Sequence, residues 1–202
     1  MSIGRHGVRQ EERRAITRAK IIAAARERFG KLGFAGTSMD AVAKDANVAK
    51  GAVYHHFASK EDLFTQVFEQ VSGQLALTVA SSIPQGADRI SALKVATRTY
   101  FQLCAEPAIT RITLQDAPSI LGFERWREID AAHFGGLVSA GLSLAMEDGL
   151  MRRQPVGPLS NIVLAAIQAA ALDCATHADF GAAAQEYQAS FGAIIDGLTC
   201  KR

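Results

Sequence analysis

The sequence predicts an all-α chain of about nine helices. Apolar residues recur three and four apart through most of its 202 residues, no stretch carries a convincing period-two alternation, and Gly and Pro clusters divide the periodic segments. A hydrophobic content of 49% is enough for a substantial core, which excludes disorder of the whole chain. The pattern divides into an arm at residues 1–12, a small helical domain at 13–58 and a larger one at 59–202. Residues 1–12 show no periodicity and read as a mobile basic arm that touches phosphates or does nothing.

Charge follows the same division. Through Lys60 there are twelve Lys or Arg against five acids, a balance of +7; the remainder has ten against fifteen, a balance of −5. A basic front on an acidic body is the asymmetry of a DNA-contacting head with a separate partner-binding part. Cys104, Cys174 and Cys200 are odd in number and far apart, without a CxxC pair, so neither a disulfide framework nor a zinc site is expected. The polar start, MSIGRHGVRQEERR, lacks the apolar core of a secretory signal. No uninterrupted apolar run reaches the roughly 20 residues of a spanning helix, with Asn161, Gln168 and Asp173 breaking the Ala-rich stretch that comes nearest. The expected setting is cytoplasmic, with no membrane.

From Arg13 to Leu32, Ala15, Ala19, Ile22, Ala25, Phe29 and Leu32 keep to one face and the arginines to the other. Gly30 and Gly33 mark the end of this helix, and Phe34 is expected to tuck back. A short helix over Ser38 to Asp45 follows, with Thr37 as its cap and Asp40 standing in for the capping-box Glu. Its first amides, with the Thr37 and Ser38 hydroxyls, suit a DNA phosphate. Asn47 supplies the left-handed turn. A second short helix runs from Ala49 to about His56. Met39, Val42 and Ala43, then Val48, Ala52 and Val53, form the buried side, leaving Lys44, Lys50, Tyr54, His55 and His56 exposed. Donors and aromatics without a carboxylate on the second helix suit a DNA major groove. Ser59, with Asp62 three residues on, starts a helix to about Ala80.

The run AGTSMDAVAKDANVAKGAVYHHFASKEDLF closely resembles the N-terminal DNA-binding domain of the TetR family of bacterial transcriptional regulators. The G-x-T-S start, the alanine-rich first helix, a turn ending in Val, the K-G-x-x-Y-x-H-F recognition helix and the S-K-E-x-L opening of the fourth helix come in the family's order, over about residues 13–68. Asn47 departs from the usual Gly, but Asn can adopt the same backbone conformation. The resemblance implies that residues 13–58 are a three-helix helix-turn-helix domain and that Lys50, Gly51, Ala52, Tyr54, His55 and His56 face DNA. Lys50 and His55 would take base edges or nearby phosphates, Tyr54, His56 and Lys60 phosphates, and the Ala52 methyl a thymine methyl.

Beyond the loop SSIPQGAD, a helix is expected over Ile90 to Cys104. A shorter one lies bracketed by Pro107 and Pro118, a long one runs from Phe123 to Glu147, and Gly149 stops it. The last two are expected from Leu159 to about His177 and from Gly181 to Leu198. Both are apolar on more than one side and need more than one neighbour. The resemblance supplies it as a homodimer interface through these two helices, which also lets two recognition helices read paired half-sites. Tyr100, Phe101, Phe123, Trp126, His133 and Phe134, with Arg98, Arg111, Asp116 and Asp130 as polar anchors, are the candidates for a pocket holding an unidentified small-molecule effector. Aromatics at this spacing also serve simply as core.

Enzymatic signals are weak. Adjacent His55 and His56 point about 100° apart on a helix and cannot chelate one metal together. Asp173 and His177 have suitable spacing but read as a surface pair. A GxSxG nucleophile signature is absent. The expected protein is a non-enzymatic regulator without cofactor or metal, a repressor that binds a palindromic double-stranded DNA operator as a homodimer and is released by its effector. The alternative is a DNA-independent carrier or hydrolase.

Overall fold

The computed structural model describes the backbone of residues 3–200 and the side chains of residues 10–200. The regular structure among the described residues is helical, with one isolated antiparallel bridge between Met151 and Thr199. The helices are α1 (Ile3–Leu32), α2 (Met39–Asp45), α3 (Lys50–His56), α4 (Lys60–Ser81), α5 (Arg89–Cys104), α6 (Pro107–Thr110), α7 (Ala117–Leu121), α8 (Phe123–Glu147), α9 (Val156–Cys174) and α10 (Phe180–Leu198). A π-helical stretch, Arg111–Asp116, joins α6 to α7, so Pro107 to Leu121 is one irregular rod. Counted once, that rod brings the described helices to the nine expected.

The chain parts into two compact units, one ending at Phe68 and one beginning at Glu69. The expected boundary stood at 58/59, before α4. The first turns of α4 belong with the N-terminal unit because Leu63, Phe64, Val67 and Phe68 are fully buried. Phe64 meets Phe29 and Phe34 edge-on at 5.1 and 5.4 Å, and Phe34 stacks on Phe29 at 6.0 Å. These rings fill the space under α2 and α3 with Ile21, Ala25, Val42 and Val53.

α1 begins at Ile3, so the backbone of the expected arm is helical from that residue onward. Arg9, Gln10, Glu11 and Glu12 are good helix formers, and they extend the helix at little cost without an apolar stripe to reveal it. Met1, Ser2 and the arm's side chains through residue 9 lie outside the described residues. α1 closes at Gly33, whose φ of 72° provides the left-handed exit.

The α2–α3 turn places Asn47 at φ 53°, the only positive-φ non-glycine among the described residues. Its N–H bonds the Lys44 carbonyl at 3.1 Å while the Val48 N–H reaches back to Ala43 at 3.0 Å. Asn47→Ala is expected to cost about 1 kcal/mol in chemical denaturation, because alanine crowds its Cβ in this region, while Asn47→Gly stays near wild type. Equal midpoints for the Ala and Asn proteins would remove the strain argument.

In the C-terminal unit, Pro118 does not end the helix as expected but sits in the first turn of α7. Proline has no N–H to give back to the preceding turn. The Thr113 carbonyl, which a wide-turn bond from that position would reach, instead accepts the Trp126 indole N–H at 2.9 Å. That substitution is a tertiary event, so local sequence does not reveal it. α9 starts at Val156, earlier than expected, with Pro155 as its cap. Leu142, Ala145, Met146, Met151, Leu159 and Val163 form one buried cluster here. By length and composition α8 and α9 pass for membrane spans; this cluster uses part of that apolar surface in a protein core.

Candidate nucleic-acid interface

Two adjacent hydroxyls precede α2, and they do different work. Ser38, in extended conformation, is the cap: its Oγ accepts from the Ala41 N–H at 3.2 Å. Thr37, expected in that role, is buried and donates to the Gly33 carbonyl at 2.9 Å, satisfying the frayed end of α1. The phosphate contact expected of its hydroxyl therefore has no accessible group behind it. Ser59 caps α4 as expected, accepting from the Asp62 N–H at 3.1 Å, while the Asp62 carboxylate takes the Ala58 N–H at 3.0 Å.

α3 itself starts at Ala49 without a side-chain cap. Val53 is its fully buried anchor and Phe57 closes its end. Lys50, Gly51, Tyr54 and His55 are exposed, whereas Ala52 and His56 are half-buried. Lys50 Nζ pairs with Asp40 at 2.8 Å, and that bond holds the Lys50 pKa above its usual value. Both partners are well exposed, so the pair opens at little cost. A Cβ built on Gly51 meets nothing within 4 Å, which means that packing within the chain does not require glycine there. Glycine in a helix costs stability, and an approaching partner surface is what it would accommodate.

His56 sits beside Arg14 and Arg18 in a shallow cleft with Glu11 and Ala15. Burial first, then His55 and the two arginines, pushes its pKa down, so the ring is predominantly neutral near pH 7. The sequence puts Arg14 and Arg18 off the apolar stripe of α1 without linking them to α3; their four-residue spacing is the signal that they share a face. Arg18 also bonds Gln66 and lies 5.4 Å over the Phe57 ring. Arg28 joins α1 to Asp45 of α2 at 2.6 Å.

Lys60, expected on a phosphate, has a different task. Its ammonium donates to the Phe34 and Thr37 carbonyls at 3.0 and 3.1 Å and rests 4.1 Å from the Phe34 ring centre, clamping the α1–α2 loop. Two of its three protons are thereby committed.

The C-terminal unit holds a cavity of about 200 Å³ between α4, α5, α8, α9 and α10. Of the ten predicted pocket residues, Tyr100 and Phe134 line it, their rings edge-on at 5.3 Å; Arg98 lines a neighbouring cavity and Arg111 opens the π-helical stretch outside both. Phe101 and Trp126 are core, each 1% exposed. Asp130 is buried and accepts from the Gln168 amide at 2.6 Å, outside the lining. His133 turns its imidazole toward Gly73 of α4 on another face. Phe123 is 56% exposed with Arg127 over its ring, and Asp116 closes the π-helical stretch away from the cavity. Most of the lining is aliphatic and small, including Leu93, Ala96, Val138, Gly141 and Ile167. Asp173 and His177 meet at 3.1 Å, with the Tyr187 hydroxyl on the same carboxylate at 2.9 Å. Among the described residues no three His, Cys, Asp or Glu side chains gather as a metal site.

Comparison with known proteins agrees with both units. Residues 21–67 match the description "Bacterial regulatory proteins, tetR family", and residues 90–198 match "Tetracyclin repressor-like, C-terminal domain". The Tn10 TetC protein of Escherichia coli is 24% identical over 156 residues, covering 76% of this chain and 78% of its own. The UidR transcriptional regulator of E. coli K12 is 44% identical over 54 residues, 27% of this chain and 28% of its own. The crystal structure of a TetR-family transcriptional regulator from Pectobacterium atrosepticum superposes with a TM-score of 0.84 at 26% identity, covering 94% of this chain and 97% of that one. With a helix-turn-helix unit in front and a matched C-terminal domain spanning more than half of its length, this chain belongs to the TetR family of bacterial transcriptional regulators.

Proposed function

We propose that the protein is a homodimeric repressor that binds a palindromic operator through α3 and releases it when a small molecule enters the C-terminal cavity. The observation that carries the reading is the exposed face of α3, where Lys50, Gly51, Tyr54 and His55 stand together on a helix anchored by Val53. Donors, an aromatic hydroxyl and a bare glycine on one short helix suit the edges and backbone of a major groove. Of the other predicted contacts, Ser38, Ala52 and His56 flank this face.

Dimerisation is supported by Ile162 of α9 and Ile194 of α10, which are 66% and 58% exposed. Large aliphatic groups left open on the two C-terminal helices need a partner surface, and a second copy provides the two-fold symmetry of a palindrome. α4 is continuous through the Phe68 break, and Val79 near its end lines the cavity. A ligand that favours one position of this helix would shift the dimer between spacings of its recognition helices. The working compartment is the cytoplasm, where operator DNA is.

The test is a mobility shift on DNA flanking the protein's own gene. Tyr54→Ala is expected to weaken binding about 10–100-fold, in the range of a direct groove contact. Lys50→Ala is expected to lose somewhat less, because the lysine must first leave Asp40, and to reduce the slope of log affinity against log salt by about 1. Unchanged binding by both variants would remove α3 as the reading element.

A further inference from the structure

The cavity of the C-terminal unit adjoins a second one of about 230 Å³, and the two share Thr97 and Phe191 as a common wall. Their chemistries differ. The inner chamber has an aliphatic lining, and its one charged side chain, Arg89, is paired with Asp148 at 3.0 Å. The outer chamber is lined by Lys94, Arg98 and Gln188. Lys94 is neutralised by Asp196, to which it donates at 2.6 and 2.8 Å. Arg98 is exposed and makes no ion pair or hydrogen bond among the described residues, so it supplies one uncompensated positive charge. Among the described residues no carboxylate lines either chamber.

We propose that the effector is a small apolar monoanion, an aryl or alkyl carboxylate, whose hydrocarbon body fills the inner chamber while its carboxylate passes Thr97 and binds Arg98 with help from the Gln188 amide. The inference rests on the ligand-responsive reading above and adds the ligand's class and its anchor. Size follows from the inner volume: an apolar cavity of 150 Å³ holds benzene, so about 200 Å³ takes roughly eight to ten non-hydrogen atoms. Charge follows from the ion pairs. With Lys94 and Arg89 already matched, one carboxylate balances the remaining guanidinium, which can meet it with two parallel N–H bonds. A dianion would leave a charge unmatched, and a cation would face Arg98 with no carboxylate to receive it. Sequence reading counted Arg98 among the polar anchors but could not set it beside an apolar chamber.

The experiment is calorimetric titration of the full-length protein with 4-propylbenzoate, 4-propylbenzamide and 4-propylbenzylamine, which share one hydrocarbon body. The acid is expected to bind at least about tenfold more tightly than the amide, and the amine more weakly than either. Arg98→Ala should abolish the preference for the acid while leaving amide affinity within about twofold, and Arg98→Lys should keep part of it. Ala96→Leu, which fills the inner chamber, should weaken all three. Equal affinities for acid and amide, a preference that survives Arg98→Ala, or no binding of any probe would overturn the proposal. The regulatory reading fails separately: a probe that binds with the expected preference yet leaves operator affinity unchanged would uphold the ligand class and overturn ligand-controlled release.

Discussion

Phe29→Ala is expected to lower the stability of the N-terminal unit by about 3–5 kcal/mol, the range for deleting a fully buried aromatic. Phe29 has no solvent exposure, and its ring sits between Phe34 at 6.0 Å and Phe64 at 5.1 Å. Removing it leaves a void bounded by the end of α1, the loop carrying Thr37 and the first turns of α4. Lys60 rests on Phe34 and clamps that loop through the Phe34 and Thr37 carbonyls, so the loss should spread from the core to the cap of α2. Hydrogen exchange should show faster exchange in α1, α2 and α3 and near-native protection in α8 and α9. DNA binding should fall in proportion to the unfolded fraction of the N-terminal unit. Leu77→Ala is the control, since Leu77 is 73% exposed and its loss should stay within about 0.5 kcal/mol. A Phe29→Ala protein within about 1 kcal/mol of wild type would show that the three rings do not organise this unit.

The helix-turn-helix was legible because its signals are local. Ser59 and Asp62 occupy a capping arrangement, Asn47 is one of few residues at ease in the left-handed region, and the buried stripe of Met39, Val42, Ala43 and Val53 lies on two consecutive short helices. What was misread is decided at a distance. Thr37 and Ser38 satisfy the same capping rule, and the choice turns on the Gly33 carbonyl, which accepts from Thr37. Pro118 reads as a stop unless Trp126, on another helix, is known to fill the bond it forgoes. Aromatic residues suggest a cavity wall from sequence, yet Phe101 and Trp126 are large enough to be drawn into the core. Space is left instead where side chains are small, at Ala92, Ala96 and Gly141. A Cβ on Gly141 would come within 2.8 Å of Leu93 Cδ2, and only the packing of α8 on α5 makes that smallness meaningful.

Asp130→Asn is expected to stabilise the protein at pH 7.5 and to leave it nearly unchanged at pH 4. Burial raises the Asp130 pKa from its usual 3.8 to about 6, against the partly compensating hydrogen bond from Gln168 and the nearby His133. Tyr100 and Cys104, also buried, lie close enough to feel its charge; both have pKa values pushed upward and stay neutral. The folded state therefore holds the carboxyl proton more tightly than the unfolded chain does. It follows that this group's contribution is most favourable below about pH 4, is lost as pH rises toward 6, and is constant above that. The whole interval corresponds to roughly 3 kcal/mol, an upper bound because water reaching the site in the native state would relieve part of it. Asparagine keeps a carbonyl for the Gln168 amide, 2.6 Å from the present carboxylate oxygen, and carries no charge to desolvate. Denaturant midpoints measured from pH 4 to 8 should thus fall for wild type between pH 4 and 6.5 and lie flatter for the variant, the two curves separating by about 1–3 kcal/mol above pH 7. Parallel curves would mean that Asp130 is solvated in the native state. Because Asp130 lies one helical turn from Phe134 on the cavity wall, the variant should also bind the calorimetric probes with less pH dependence over the same interval.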